Sequence, residues 1–327
     1  MTRRSRIGVL LAATLTLVLI GAGYTWYTAN QRGNAETTTD GLTLSAPGHL
    51  IYRDTSDTDR LVSVPATDPS GARTATNVHC LRFHAAAGTG LCLRIQPGQM
   101  PPYWAIVLDD HLNETRRLPV AGTPSRARVA PSGRMAAWTL FVGGHAYATA
   151  GSFSTQTSIL DTRTGTLIDN LETFDITLDG KHYTDGDINI WGVTFVDDNR
   201  FYATLATQGS THLVQGDITA RTLRTLRANV ECPSLSPDGT RLVFKKRIGA
   251  DTDGSIWRLH LLDLTTMRET PLAEQRSVDD QALWQDNHTV LYSLPDKGSF
   301  TLWSVPADGT GTPHKSLANA TSPALTR

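Results

Sequence analysis

Long apolar runs are almost missing from this chain of 327 residues, and the single exception lies at its start. Cysteine is scarce, with three in all, so a disulfide-rich scaffold held together by crosslinks is excluded. Charge of either sign is not in excess: 30 Lys and Arg against 31 Asp and Glu give a formal net charge of −1. That balance lacks the basic footprint of a nucleic-acid binder, and no nucleic-acid partner is expected. After residue 48 the helical spacing of apolar residues is also rare, which leaves an all-β chain. No Gly-x-Ser-x-Gly elbow and no His-Glu-x-x-His occurs, so the two commonest hydrolase signatures are missing.

What is present is a repeated phrase. Cys232-Pro233-Ser234-Leu235-Ser236-Pro237-Asp238-Gly239-Thr240-Arg241, followed by Leu242-Val243-Phe244, reads as a strand, a tight turn and a second apolar strand. Variants recur at 128–138 around Pro131-Ser132-Gly133, at 193–203 around Asp197-Asp198-Asn199, and at 283–292 around Asp286-Asn287. A further pair of short strands follows each, as in Ser255 to Leu264 leading to an outer strand with Leu272. Four strands per unit at this spacing make the blades of a β-propeller. Two less regular blades precede them, one from His49-Leu50-Ile51-Tyr52-Arg53 through Val64 and one from Val78 to about Val120. The expected fold is therefore all-β, a six-bladed β-propeller over residues 47–327.

The chain's two ends complement each other. Ser322-Pro323-Ala324-Leu325-Thr326 matches the opening of the inner-strand phrase and stops before its turn. His49 to Arg53 looks like a second strand with no inner strand before it. Residues near 321–326 are expected to supply that strand and close the ring, leaving no long edge.

The N-terminal run differs in kind. Arg3, Arg4 and Arg6 precede residues 7–27, which carry no charge and end in Tyr24, Trp26 and Tyr27. That length spans a hydrocarbon core as a helix, and the basic flank keeps its N-terminus cytoplasmic. Residues 1–27 are expected to be a transmembrane signal-anchor and 28–46 a polar linker; a cleaved signal segment and a secreted propeller are the alternative. Either way the propeller lies outside the cytoplasm, where disulfides persist. Cys80 and Cys92 flank Ala85-Ala86-Ala87-Gly88-Thr89-Gly90, a hairpin connection, and are expected opposite each other on neighbouring strands as a disulfide. Cys232 is left to pack as a small apolar residue.

The Ser236-Pro237-Asp238-Gly239 turn with Leu242-Val243-Phe244 and Trp257 to Leu264 resembles the repeat of TolB-like six-bladed propellers. Thr123 to Arg134 and Trp191-Gly192-Val193-Thr194-Phe195 resemble, more narrowly, actinobacterial TolB-like translocation proteins. The resemblance covers roughly residues 48–326 and implies an extracytoplasmic propeller that presents a face or funnel to an envelope protein, in envelope transport or assembly. The chain is expected to depart from that family in lacking the separate N-terminal α/β domain and in carrying an anchor, so the family's own partners are not expected to carry over.

Candidate sites are few. Arg126 and Arg128 alternate on an inner strand, which puts both on one face and toward the channel. They offer a cationic lining for an anionic ligand or a partner's carboxylate; the alternative is a structural pair held by Asp and carbonyl groups of adjacent blades. Trp138, Trp191, Trp257, Trp284 and Trp303 are expected between blades as core rather than as a ligand cage. Asp251-Thr252-Asp253-Gly254 lacks the later ligands of a calcium loop, Asp185-Gly186-Asp187 reads as solvated turn acids, and His79 and His84 lack further donors for zinc. Ser236-Pro237-Asp238-Gly239 places its glycine one residue too early for an Asp box. No catalytic set, metal or cofactor is expected, and the leading expectation is a monomeric protein-binding scaffold. The alternative is a hydrolase of the glycosidase or lactonase type using channel carboxylates or a metal.

Overall fold

A computed structural model describes residues 35–36, 42–100, 102–143, 154–251 and 254–327. The segment read as a membrane anchor, residues 7–27, most of the 28–46 linker, and Thr252 and Asp253 of the calcium-like loop lie outside the described residues. Among the described residues no helix is long and apolar enough to cross a membrane.

The strands form six separate antiparallel-cored sheets, the blades of a propeller. In blade order, the inner strands are Ala320–Leu325, Arg82–Ala86, Thr123–Val129, Asn189–Phe195, Glu231–Leu235 and Leu283–Trp284. Ring closure is as the sequence implied. Ala320–Leu325 pairs antiparallel with His49–Asp54, setting Leu50 opposite Leu325 and Ile51 opposite Ala324. The last strand of the chain is thus the first strand of blade I.

The repeated turns of blades IV, V and VI are built by carboxylates, and that of blade III by the Ser132 hydroxyl, which accepts from Arg134 N–H. In blade V, Gly239 N–H donates to the Ser236 carbonyl at 2.9 Å, with Gly239 at φ +71°. Asp238 accepts from Thr240 N–H at 3.0 Å, from the Thr240 hydroxyl at 2.7 Å and from the Ser236 hydroxyl at 2.6 Å. These bonds, the Ser236 hydroxyl first, hold the Asp238 carboxyl well below the usual range. Asp197 and Asp286 brace the equivalent turns of blades IV and VI through backbone N–H groups. The recurrence of Asp in the turns is therefore a matter of backbone satisfaction.

The apolar residues divide into six clusters, and each cluster fills one gap between neighbouring blades. Tyr52 and Leu50 of blade I meet Leu291 and Leu302 of blade VI in the gap where the ends of the chain join. Burying the hydrophobic faces between blades leaves the ring axis for polar side chains. That is why charged groups of the inner strands converge there.

Several boundaries differ from expectation. Arg73–His79 is the fourth strand of blade I, with Ala35–Glu36 of the stretch read as linker paired parallel to it at the outer edge, so blade II starts at Arg82 rather than Val78. Cys80 and Cys92 are joined, with Cα atoms 5.4 Å apart, but the residue opposite Cys92 in the hairpin is Phe83. Cys80 sits just before that hairpin, so the disulfide ties the blade I–II connection to blade II. Leu42 and Leu44, at the end of the stretch read as linker, are buried in the blade I–II core. Between blades III and IV, residues 169–188 add Asp175–Leu178 and Lys181–Tyr183 to the outer edge of blade IV. The outer strand of blade V is Glu269–Pro271, and Leu272 is buried just beyond it.

Candidate functional site

Inner strands that bulge shape the centre. Asn189–Phe195 shifts register between Trp191 and Thr194, and Glu231–Leu235 shifts between Glu231 and Ser234. The bulges lie side by side: a Cβ on Gly192, at φ +66°, would stand 2.9 Å from the Cα of Cys232. Glycine is required there both for its positive φ and for the close approach. Cys232 itself is buried, as expected, and its N–H donates to the Thr204 hydroxyl at 2.8 Å.

Arg126 and Arg128 both reach the channel, as their period-two spacing predicts, but they serve different ends of it. Arg126 lines a mouth of 640 Å³ at one end of the inner strands. Arg128 lines a cavity of 410 Å³ at the other, among the turns that join inner to second strands. Between them the channel is plugged by Arg82, Arg126, Arg128, Asp280 and Gln281. Gln281 donates to the Val193 and Pro233 carbonyls at 3.1 and 2.9 Å, fastening the plug to blades IV and V.

The wide mouth gathers charges of both signs around aromatic walls. Its cations are Arg82, Arg126, Lys245 and Arg247, and its anions Glu231, Asp279 and Asp280. Lys245 Nζ stands 2.5 Å from Asp279 and 3.7 Å from Glu231, and Arg126 stands 3.6 Å from Asp279. Trp257 closes one side: its Nε1–H donates to Glu231 at 3.0 Å, while Lys245 Nζ lies 4.5 Å from its ring centre. Phe141 and Phe300 line the rim.

The electrostatics follow from burial and neighbours. Burial pushes the Arg82 guanidinium down to about 10, with Arg126 adding to the effect. Burial would also lower Arg126, but the Asp280 and Asp279 carboxylates raise it. Burial acts to raise the Asp279 carboxyl, and Lys245 and Arg126 outweigh it, leaving it below the usual range. Asp280 accepts the N–H groups of Gln281 and Ser293 at 2.9 and 3.0 Å. The mouth's carboxylates are thus tied to cations or backbone, an arrangement that holds shape and charge for recognition.

Of the tryptophans, Trp138 and Trp284 are core, Trp303 packs against the blade V–VI core, and Trp191 is buried while lining the mouth. Trp257 departs from expectation as a half-buried wall of the site. The sequence carried a signal for it, since Lys245, Arg247 and Trp257 fall at the far end of one hairpin, where Arg247 pairs with Trp257. Asp187 braces a turn by accepting from Gln208 N–H at 2.6 Å. His79 Nδ1 lies 2.9 Å from the Thr58 carbonyl, and His84 belongs to the opposite cavity. Among the described residues no group of three or more His, Cys, Asp or Glu gathers as a metal site.

No protein-family model and no curated protein matches the chain. Solved structures do. The tricorn protease is similar over 85% of this chain and 30% of its own, with 9% identity and a TM-score of 0.52. A puromycin-hydrolysing peptidase of Mycobacterium tuberculosis is similar over 84% of this chain and 44% of its own, with 14% identity and a TM-score of 0.45. A protein assigned as TolB from Agrobacterium tumefaciens is similar over 83% of this chain and 89% of its own, with 10% identity and a TM-score of 0.48. The chain therefore spans about a third of the tricorn protease and less than half of the peptidase. At these identities the likeness is one of architecture, and the chain is a six-bladed β-propeller.

Proposed function

We propose that this propeller is a binding module held outside the cytoplasm by residues 7–27, and that it receives an envelope protein at the wide mouth of its channel. The observation that carries the reading is the mouth itself, 640 Å³ in volume, with Trp257 over a floor of Arg126, Lys245 and Asp279. An aromatic wall beside a desolvated cation is the composition of an interface anchor. The uncharged N-terminal run and the Cys80–Cys92 disulfide support the location.

The second reading, a hydrolase of the glycosidase or lactonase type, draws on the same carboxylates. An acid catalyst needs a carboxyl raised toward neutrality. Asp279 is held in the opposite direction by Lys245 and Arg126, which favours binding.

In-cell photocrosslinking of the full chain tests the proposal. A photoreactive residue at Phe300 is expected to capture one envelope protein, and the capture is expected to disappear when Trp257→Ala and Arg126→Ala are combined. The same probe at Asn287, in a turn at the other end of the channel, is expected to capture none of it. Capture that survives the double substitution, or that is equal from Asn287, removes the mouth as the site.

A further inference from the structure

The narrow end of the channel has a chemistry of its own. Its 410 Å³ cavity is lined by Arg128, His84 and Arg327, by Phe195, Leu283 and Trp284, and by no Asp or Glu among the described residues. The wide mouth pairs its cations with carboxylates; this cavity does not. Arg128 is 8% exposed, yet its buried Nε has no hydrogen-bond partner, and its Nη2 reaches only the Ala282 carbonyl at 3.4 Å. Asp280 in the plug acts on Arg128 through space but makes no hydrogen bond to it, its oxygens accepting the N–H groups of Gln281 and Ser293. A buried guanidinium in this state calls for an anion.

His84 provides a second, independent argument. Its Nδ1 lies 3.1 Å from Val129 N, a backbone N–H that can only donate. A neutral imidazole that accepts at Nδ1 carries its proton on Nε2. Nε2 in turn stands 3.1 Å from Arg128 Nη1, which also can only donate. Two N–H groups therefore face each other, and exchanging the tautomer moves the conflict to Val129 without relieving it. Protonation of the ring offers no relief either, because burial and the charges of Arg128 and Arg327 disfavour the imidazolium. An oxygen with two lone pairs, seated beside both groups, satisfies Nε2–H and the guanidinium together.

We propose that this cavity binds a small organic carboxylate, its oxygens held by Arg128 and the Nε2–H of His84 and its apolar body packed on Phe195, Leu283 and Trp284. The site is separate from the wide mouth, so its failure leaves the docking proposal standing, and the reverse.

The test is titration of the ¹⁵N-labelled full chain in detergent with phenylacetate, following the imidazole nitrogens of His84. The expected result is a saturable shift, with phenylacetate binding at least tenfold tighter than its neutral analogue 2-phenylethanol and tighter than acetate. Arg128→Gln is expected to weaken phenylacetate at least tenfold by calorimetry. Should Arg128→Gln not fold, His84 decides. His84→Gln keeps an acceptor for Val129 and a donor for the ligand and is expected to retain binding within about threefold, whereas His84→Phe loses at least tenfold. No saturable shift, equal binding of 2-phenylethanol, or unaltered binding by His84→Phe overturns the proposal. Binding of inorganic phosphate without phenylacetate overturns the assignment of an organic carboxylate.

Discussion

Lys245, only 3% exposed, places its ammonium 2.5 Å from the Asp279 carboxylate, linking a second strand of blade V to the irregular segment that leads into blade VI. The same ammonium lies 3.7 Å from Glu231, whose side chain is 4% exposed. Removing this buried cation leaves the buried Glu231 carboxylate with only the half-exposed Arg247 beside it, while Asp279 is open to water; breaking a buried pair typically costs about 3–5 kcal/mol. Lys245→Met is therefore expected to lower the unfolding free energy from urea denaturation by that order, seen as a lower midpoint. Adding Glu231→Gln removes the stranded charge and is expected to restore at least half of the loss. An unchanged midpoint for the single variant would show that Arg247, 3.4 Å from Glu231, suffices alone.

Ring closure offers a second point of measurement. The Ser322 hydroxyl accepts from Phe83 N–H at 2.9 Å and donates to the Phe83 carbonyl at 3.0 Å, so the last strand of the chain is bonded sideways to the inner strand of blade II. Ser322→Ala leaves both backbone groups of Phe83 without that partner. The expected cost is about 1–3 kcal/mol in chemical denaturation, with the unfolding slope unchanged. A cost below a few tenths would mean that closure rests on the Ala320–Leu325 pairing and the blade I–VI core alone.

The closure was legible because a truncated copy of a repeated phrase is visible as such at Ser322-Pro323-Ala324-Leu325. The turns were legible for the same reason: Asp or Gly at fixed offsets is imposed by backbone geometry, which sequence records. The mouth was harder to find. Asp279 and Asp280 come from a stretch with no strand pattern, ahead of an inner strand of two residues, Leu283–Trp284. Glu231 is brought to Lys245 by the hairpin register of blade V, where the two are opposite each other. Arg126 and Arg128 share a face as alternation dictates, but alternation says nothing of depth, and depth is what assigns them to different cavities. The added strands Asp175–Leu178 and Lys181–Tyr183 were missed because they are short and polar, and they pair only with an edge already formed.

The disulfide is the third measurable element. Cys80 and Cys92 are each 1% exposed and enclose a short loop, with a sequence separation of 12. Loop-closure entropy for that length corresponds to about 3 kcal/mol. The double variant Cys80→Ser with Cys92→Ser is expected to lose that much or somewhat more, because two hydroxyls enter the blade I–II core. Cys232, buried and outside any disulfide at the blade V bulge, is expected to resist alkylation in the folded protein and to react once denaturant is added. Prompt labelling of the native chain would contradict the buried placement.

The acid limb of stability is expected to start at His84. Burial lowers its pKa well below 6.5, and Arg128 and Arg327 lower it further, so the folded ring stays neutral. In the unfolded chain the ring takes up a proton near its ordinary pKa of about 6.5. The unfolded state thus binds more protons as pH falls, and folding stability is full above that pH and lost below it, down to the folded pKa. One such group gives a slope of up to about 1.4 kcal/mol per pH unit. His212 and His260 are shifted the same way, mainly by burial, and add to the slope. The contribution of His84 is isolated by His84→Gln, which cannot titrate but preserves an acceptor for Val129 N–H. Between pH 6.5 and 5 that variant is expected to lose about one proton's worth of slope in urea unfolding. Carboxylates such as Asp238, held low by their turns, enter only at more acidic pH. Equal slopes for the two proteins in that window would mean that His84 is protonated in the folded state, and would require a neighbouring acceptor that the Arg128–His84 contact does not provide.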